Sequence, residues 1–285
     1  MTVAVLTDSA ATLPPEVVEA HGIRVVPAWL WVGGQPLRDG ELSLEEILAM
    51  VDAGGTVSTS GPTPGEFLAA IERSAGPDGA LVLTVAHRLG ASTFESARAA
   101  AELAGHPVRV LDTATAAGGQ GLIALAAAAR AREGANLDDV EARATEVRDR
   151  VRVVASLSRL DYLVRGGHVP SVLGWAGRTI GLRPLVELSN GTVRPLRPAL
   201  SAEAARDRML EEWRSSRPPA GQLHVAVLHA LAGEAADELL AMVRAEADPV
   251  EAFIGQFSTV MVIHSGPDLL GLAWWWGPIR QPVAG

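Results

Sequence analysis

Three hydroxyl side chains precede a strong helix start near residue 60. They belong to Ser58, Thr59 and Ser60, and the helix start is marked by Thr63 and Glu66, which have the Thr-x-x-Glu spacing of a capping box. A helix N-terminus presents unpaired backbone N–H groups and a partial positive charge, so hydroxyls placed beside it suit an anionic group. An ordinary capped loop has the same pattern, because capping boxes are common.

A similar stretch follows further along the chain. Ser92 and Glu95 have the spacing of another capping box, with Thr93 beside them, which predicts a second helix N-terminus behind a small polar loop. His264 is predicted to end a strand immediately before Ser265, and an imidazole in that position could meet an anion. A histidine of this kind is more often a hydrogen-bonded structural residue, so both interpretations stay open.

Strands and helices alternate over residues 1–151, which is typical of an α/β sheet with helices on both faces. In such folds ligands bind at the carboxyl ends of the strands, against helix N-termini, and both hydroxyl stretches are predicted to lie there. The predicted strands are Val3–Leu6, Ile23–Trp31 (interrupted at Pro27), Ala80–Val85 and Val108–Leu111, and the predicted helices are Pro14–Ala20, Leu44–Val51, Pro64–Ser74, Leu122–Arg132 and Leu137–Val151.

The chain from residue 152 to residue 285 has a less regular order, which predicts a second domain of the α+β class. Asn190-Gly191 is a strong signal for a hairpin between two strands. The predicted strands are Val153–Ser156, Leu185–Leu188, Thr192–Leu196, His224–His229, Val260–His264 and Leu270–Trp276, and the predicted helices are Leu160–Val164, Glu203–Arg214 and Glu234–Glu246.

Composition excludes several classes of function. The 285 residues carry a net charge of −9, which argues against general binding of nucleic acid or anionic membranes. The chain has no cysteine and no lysine, so thiolate metal sites, cysteine nucleophiles and Schiff-base lysines are excluded. No leader and no apolar run of membrane-spanning length occurs, which predicts a cytoplasmic protein without stable membrane insertion.

Sequence signatures of common enzyme classes are also missing. The chain contains no Gly-x-Ser-x-Gly elbow, no Walker A motif, no His-Glu-x-x-His and no histidine pair with metal-ligand spacing. Gly119-x-Gly121-x-x-Ala124 superficially fits a dinucleotide fingerprint, but it stands too far behind its strand and lacks the acid that should follow. We therefore interpret it as a closely packed helix entry.

Short motifs occur in a characteristic order along nearly the whole chain. They are Thr7-Asp8-Ser9, Val25-Val26-Pro27, Thr59-Ser60-Gly61-Pro62-Thr63-Pro64, Thr93-Phe94-Glu95-Ser96-Ala97, Leu111-Asp112-Thr113, the run from Tyr162 to Val169, Arg183-Pro184-Leu185-Val186 and His264-Ser265-Gly266-Pro267. In this order they resemble the DegV family of bacterial fatty-acid-binding proteins. The resemblance implies an N-terminal α/β sandwich and a C-terminal α+β domain that close over one long-chain fatty acid, such as palmitate or oleate.

The resemblance also implies roles for individual residues. It assigns a non-catalytic carrier that needs no cofactor beyond its bound fatty acid, and some family members present that acid to a fatty acid kinase. The implied carboxylate ligands are Thr59, Ser60, Ser92, Thr93 and His264, and the implied secondary contacts to the ligand or a partner are Gly61, Ala91, Arg165, His168, Arg194, Arg197 and Ser265.

The chain departs from the family pattern at several positions. Ala91 makes the loop before Ser92 one residue longer than usual, which leaves open which hydroxyl faces the ligand. His168 replaces the usual arginine of a Gly-Gly-Arg turn, and Arg194 and Arg197 are the nearest substitutes for the basic residues expected after the hairpin. Two alternatives use the same helix N-termini: an α/β enzyme acting on a small anion or nucleotide, and a regulatory module whose ligand state a partner protein senses.

Overall fold

The computed structural model describes residues 2–158, 162 and 182–278. These residues form 13 strands that are arranged in three sheets. The strands are β1 (Ala4–Asp8), β2 (Arg24–Val26), β3 (Trp29–Val32), β4 (Gln35–Arg38), β5 (Val57–Ser60), β6 (Ala80–Thr84), β7 (Val108–Asp112), β8 (Arg152–Ser156), β9 (Arg183–Ser189), β10 (Thr192–Ala199), β11 (Gln222–His229), β12 (Glu251–Gln256) and β13 (Leu270–Gly277).

Nine α-helices connect these strands within the described ranges. They are α1 (Pro15–His21), α2 (Leu44–Asp52), α3 (Pro64–Ser74), α4 (Ala91–Leu103), α5 (Gly118–Arg132), α6 (Leu137–Arg148), α7 (Ala202–Ser215), α8 (Gly233–Glu246) and α9 (Thr259–Ser265). The capping boxes predicted at Ser43 and Thr63 are both formed, so the starts of α2 and α3 are confirmed.

The first sheet is wholly parallel, with the strand order β2-β1-β6-β7. Its strands are short and apolar because both faces are covered. Leu6 and Val82 pack against Phe67 and Ile71 of α3 on one face. Val5, Leu81 and Leu83 belong to the core that contains α5 on the other face. The carboxyl ends of β1 and β6 border the cavity described below, at Asp8 and Val85.

Helix α5 lies between the parallel sheet and a six-stranded sheet, and its side chains are buried on nearly every side. It begins at Gly118, whereas the sequence predicted a glycine-rich turn and a helix start at Leu122. The glycines belong to the helix because the second sheet approaches it closely: a Cβ at Gly118 would lie 2.8 Å from the Cβ of Ala226. The interpretation of this stretch as a closely packed helix entry agrees with that contact.

The six-stranded sheet has the order β10-β9-β8-β13-β11-β12 and is antiparallel except for the pair β11–β12. Its outer face packs against α7 and α8 through residues such as Trp213 and Leu239. The hairpin predicted at Asn190-Gly191 joins β9 to β10. The inner face looks toward α5 and toward the cavity described below.

A third, antiparallel sheet has the order β4-β3-β5. Leu30 of β3 and Ile47 of α2 share one core with Val262 of α9. The sequence predicted a strand over 23–31 that is interrupted at Pro27, and a loop at 57–60. The interruption is confirmed, since Pro27 separates β2 from β3, although these two strands join different sheets. The loop prediction is wrong, because residues 57–60 pair with β3 as β5. Strands β4 and β12 were not predicted.

The segment around His264 is a helix, which overturns the prediction of a strand over 260–264. A short continuous apolar run does not by itself separate a strand from a buried helix. The deciding feature is remote in sequence: Asp39 accepts hydrogen bonds from the Val260 N–H at 3.0 Å and from the Thr259 hydroxyl at 2.9 Å, which satisfies the first turn of α9. His264 therefore lies in the last turn of a seven-residue helix.

The α/β class is confirmed, with a parallel sheet in the N-terminal part and a mixed sheet with helices in the C-terminal part. The division at residues 151 and 152 stays a prediction. The predicted helix at 160–164, apart from Tyr162, and the turn that carries Arg165 and His168 lie outside the described residues. No helix in the described ranges is both long and apolar enough to cross a lipid bilayer.

Candidate functional site

A cavity of about 240 Å³ lies where the carboxyl edge of the parallel sheet meets α9, β5 and the inner face of the six-stranded sheet. One group of lining residues is polar, and the other is apolar. The polar residues are Asp8, Thr59, Ser60, Ser92, Thr93, His264 and Ser265, and the apolar side chains include Val153, Ala155, Leu157, Val186, Leu188, Leu228, Phe257 and Leu269.

Thr59 and His264 make the central polar contact. The Thr59 hydroxyl oxygen lies 2.8 Å from His264 Nε2, and the tautomer of the ring decides which of the two donates the hydrogen bond. Thr59 is placed by the pairing of β5 with Leu30 of β3. The small sheet and α9, which are far apart in sequence, thus meet at the cavity.

Thr93 and Gly61 form a second close contact. A Cβ on Gly61 would lie 2.2 Å from the Thr93 hydroxyl oxygen and 2.9 Å from its Cα, so the absence of a side chain at Gly61 allows the loop before α3 to touch α4. Thr93 is buried, whereas Ser92 is exposed at the margin of the cavity. Both hydroxyls line the cavity, and the buried one is that of Thr93.

The predicted capping box between Ser92 and Glu95 is not formed, so that prediction is wrong. Helix α4 begins two residues earlier than predicted, at Ala91, with Gly90 as its N-cap and no side chain capping the first turn. Gly90 takes this place because a Cβ there would lie 2.6 Å from Val85 Cγ1. Glu95 lies instead 3.5 Å from His87 Nε2.

Ser60 and Ser265 complete the polar end of the cavity. The Ser60 hydroxyl accepts a hydrogen bond from the indole N–H of Trp31 at 3.2 Å. The Ser265 hydroxyl donates to the carbonyl of Met261 at 3.2 Å and is buried. Both side chains are therefore held by a hydrogen bond within the protein.

Asp39 holds these elements together, although the sequence did not mark it as a site residue. One carboxylate oxygen accepts from the hydroxyls of Ser9 at 2.6 Å and Ser258 at 2.7 Å. The other accepts from Thr259 Oγ1 and from the N–H of Val260. The carboxylate thus ties the residue that follows Asp8 in the chain to the start of the helix that carries His264.

Asp8 is the second acidic residue at the site, and it is one of the residues that line the cavity. One oxygen accepts from the Ala10 N–H at 3.0 Å and the other from the Val85 N–H at 2.8 Å. Burial raises the pKa of the Asp8 carboxyl to about 6, because desolvation disfavours the charged form more strongly than these hydrogen bonds favour it. The signal that could have found it was its place directly after a buried strand, within Thr7-Asp8-Ser9.

Three of the predicted secondary residues are not gathered at the cavity. Ala91 is exposed at the start of α4, and Arg194 and Arg197 are exposed on β10, which forms an edge of the six-stranded sheet. Gly61 and Ser265, by contrast, line the cavity with the five predicted carboxylate ligands. No cluster of three potential metal-ligating side chains occurs among the residues that the structure describes.

The arrangement suits an amphiphilic molecule. Its polar end offers hydroxyl donors and one imidazole at a place where backbone N–H groups of α4 lack intrahelical partners. Its apolar walls come mainly from the inner face of the six-stranded sheet and from α9. Such a cavity can orient an acidic head group while it removes a hydrocarbon chain from water.

Comparisons with known proteins agree along the whole chain. A family model described as an uncharacterised protein of the DegV family matches residues 2–276. A DegV domain-containing protein of Streptomyces coelicolor is 32% identical over 274 residues, which cover 95% of this chain and 97% of that protein. A protein named fatty acid-binding protein from Thermotoga maritima is 29% identical over 280 residues, which cover 95% and 96%. A solved DegV family protein from Thermus thermophilus, described by its fatty acid binding, superposes with a TM-score of 0.88 at 29% identity, covering 97% of this chain and all of that one (100%).

Proposed function

The chain belongs to the DegV family, and we propose that it is a carrier that binds one long-chain fatty acid, such as palmitate or oleate, in this cavity. The observation that carries the proposal is the continuity of the hydroxyl and imidazole cluster with an apolar chamber in a single cavity. The fatty acid binding named for the relatives from Thermotoga and Thermus supports it.

The hydrocarbon tail would supply most of the affinity. A buried methylene contributes about 0.8 kcal/mol, so a C16 tail contributes roughly ten kcal/mol before the costs of ordering. The head group would be bound by Thr59, Ser60, Ser92, Thr93 and His264, with Gly61 and Ser265 beside them. Each hydrogen bond adds about 1 kcal/mol, and more when its acceptor is charged. These bonds select an acid over an uncharged lipid of equal length.

The carrier has no catalytic role and no cofactor in this proposal. The apolar walls favour a hydrocarbon tail over a nucleotide, which would leave buried polar groups unpaired. The head-group residues belong to segment 1–151 and to α9, and much of the apolar wall belongs to segment 152–285. We place the ligand between these two segments, as two domains, in a cytoplasmic protein.

A fatty acid kinase is the partner that we propose for the loaded carrier. Arg194 and Arg197 are exposed on an edge strand, where basic side chains are accessible to an acidic surface of another protein. Mixing the loaded protein with a bacterial fatty acid kinase and ATP, and measuring acyl-phosphate formation, tests this step. An Arg194→Ser, Arg197→Ser double variant should bind the fatty acid normally and deliver it more slowly.

Fatty acid binding itself is tested by native mass spectrometry of the purified protein, followed by denaturing extraction and analysis of the lipid. We expect one fatty acid per chain. A protein that is purified empty and takes up neither added palmitate nor added oleate would contradict the proposal. A bound mononucleotide would favour the enzyme alternative.

A further inference from the structure

The cavity has few positively charged side chains for a site that binds an anion. Among the residues described, its lining contains no arginine, and its only ionisable side chains are the carboxyl of Asp8 and the imidazole of His264. A fatty acid carboxylate would therefore enter a poorly solvated space that already holds one carboxyl group. Two like charges in such a space repel strongly unless a proton neutralises one of them.

The position of Asp8 brings it to the same edge as the proposed head-group site. Thr7 pairs with Leu83, and Thr84 pairs with Asp112, so Asp8, Thr84 and Asp112 end three neighbouring parallel strands. Asp8 is 2% exposed and lines the cavity together with Thr93 and Gly61. Asp8 therefore borders the ligand chamber and has almost no contact with solvent.

The hydrogen bonds to the Asp8 carboxyl come from neutral donors only, namely backbone N–H groups such as those of Ala10 and Val85 and the side chain of Gln120. Neutral donors do not cancel the charge of a carboxylate, so a second carboxylate beside Asp8 favours a proton that the two acids share. Carboxyl pairs that share one proton occur where two acids meet in a poorly solvated site.

The polar groups near Asp8 come from several neighbouring elements. Among the described residues, no arginine lines the cavity beside it. Asp39 is hydrogen-bonded to Ser9, which follows Asp8 in the chain, and Asp112 ends the outer strand β7. Gln120 of α5 contributes a neutral amide. His264 of α9 is the one other group at the cavity that can carry a proton at physiological pH.

We infer that this protein takes up one proton together with each fatty acid, and that the proton is held between the ligand carboxylate and Asp8. The inference rests on the proposed function and adds the protonation state of the bound ligand. Above pH 7 a free fatty acid and free Asp8 are both mainly ionised. Binding then forms one O–H bond from a solvent proton, and the pair of acids carries a single negative charge.

Calorimetry measures the proton directly. Titration of oleate into the protein at pH 8, in buffers with different ionisation enthalpies, should show uptake of about one proton per ligand, because the pair shares a single proton. The dissociation constant should rise up to about tenfold per pH unit between pH 7 and 9, as expected for uptake of one proton. Oleyl alcohol, which has no carboxylate, should bind without proton uptake.

Asp8→Asn is the decisive variant and Asp112→Asn its matched control. Asp112 also ends a parallel strand and accepts two backbone hydrogen bonds, from His87 and Ala114, but it does not line the cavity. Asp8→Asn should reduce the proton uptake to near zero and flatten the pH dependence, whereas Asp112→Asn should keep both.

Three results would overturn the inference. The first is binding of oleate by the wild-type protein with no proton uptake, which needs no variant and leaves the proposed function intact. The second is uptake that persists in Asp8→Asn and disappears in His264→Gln, because the imidazole would then hold the proton. The third is failure of the wild-type protein to bind oleate, which would remove the proposed function as well.

Discussion

The hydroxyl oxygen of Thr59 lies 2.8 Å from Nε2 of His264, although the two residues are 205 positions apart in the sequence. If the ring donates its Nε2–H, the hydroxyl proton of Thr59 remains available for an acceptor in the cavity. The imidazole then orients the threonine toward a ligand. This contact holds the Thr59 donor in place before a carboxylate binds, so binding does not have to order that side chain first.

Replacing Thr59 by valine tests this donor. The change keeps the branched shape and removes the hydroxyl, so we expect palmitate to bind about tenfold more weakly, in line with a hydrogen bond to a charged acceptor of about 1.5 kcal/mol. Palmityl alcohol should lose much less. Dissociation constants for both lipids provide the measurement.

The control for Thr59→Val is Ser58→Ala on the same strand. Ser58 is exposed and does not line the cavity, so its loss should change neither dissociation constant. Equal weakening of acid and alcohol by Thr59→Val would indicate a distorted cavity and would count against a head-group role for Thr59.

Gly61→Ala should disrupt the contact between the loop before α3 and α4. The new Cβ would lie 2.2 Å from the Thr93 hydroxyl oxygen and 2.9 Å from the Thr93 Cα, so removing the hydroxyl with Thr93→Ala relieves only part of the clash. We expect a loss of about 1–3 kcal/mol in unfolding free energy, as for other overpacked sites, and weaker fatty acid binding. Thermal unfolding and lipid titration measure the two effects.

Gly65→Ala provides the matched glycine control. A Cβ at this position has no neighbour within 4 Å, and the residue lies in the first turn of α3. Alanine there should be neutral or stabilising by up to about 1 kcal/mol. If Gly61→Ala were as stable as Gly65→Ala, the loop before α3 would be able to move away from α4 without a loss of stability. That result would contradict the expected clash.

Asp39→Ala should loosen the helix that carries His264. The substitution removes the acceptor of four hydrogen bonds, from Ser9, Ser258, Thr259 and the Val260 N–H, and leaves partly buried donors without a partner. We expect a loss of roughly 2–4 kcal/mol in unfolding free energy.

Fatty acid affinity should fall in Asp39→Ala even where the protein remains folded, because α9 would no longer be fixed at its start. Ser258→Ala removes only one of the donors and should produce a fraction of both losses. Unchanged binding of palmitate by a folded Asp39→Ala protein would contradict the role of Asp39 in positioning His264.

Local sequence rules predicted most of the elements and, together with the family resemblance, most of the polar residues that line the cavity. The capping boxes at Ser43 and Thr63 and the Asn190-Gly191 hairpin depend on neighbours in the chain, so their residue types suffice. The family resemblance correctly brought Thr59 and His264 to one cavity, while their role as ligands stays a prediction.

Long-range contacts explain the structural features that local sequence patterns did not predict. The segment 260–264 is helical because Asp39, more than two hundred residues earlier, completes its first turn. The segment 57–60 is a strand because β3 pairs with it. Ser92 fails to cap α4 because Gly90 must pass close to Val85. Each cause lies in tertiary packing, which local patterns do not contain.

The stability of the protein should depend on pH through Asp8. Burial raises its pKa to about 6 in the folded state from the ordinary value of 3.8, so the folded protein binds more protons than the unfolded chain between these values. The stabilisation is fully present below about pH 4 and is lost as the pH rises to about 6, by an amount on the order of 3 kcal/mol.

Chemical denaturation of wild type and Asp8→Asn across pH 4–7 measures how the contribution of Asp8 to the free energy of unfolding changes with pH. The wild-type protein should lose stability relative to the variant as the pH rises. His229, whose pKa is lowered by burial, gives the opposite trend, because its neutral form is favoured in the folded state, but this contribution is common to both proteins and cancels. A constant difference between the two proteins over this range would contradict the raised pKa.

The apolar part of the cavity should set the preferred tail length. Ala155 lies on the inner face of β8 and lines the cavity, so Ala155→Leu adds three carbon atoms to the space that we assign to the tail. A tail that cannot bury its last methylenes loses about 0.8 kcal/mol for each of them. We therefore expect Ala155→Leu to weaken stearate and palmitate more than decanoate, and Ala155→Val to give a smaller shift in the same direction. Dissociation constants for an acid series from C10 to C18 measure the trend; an equal loss at every length would place the tail elsewhere in the molecule.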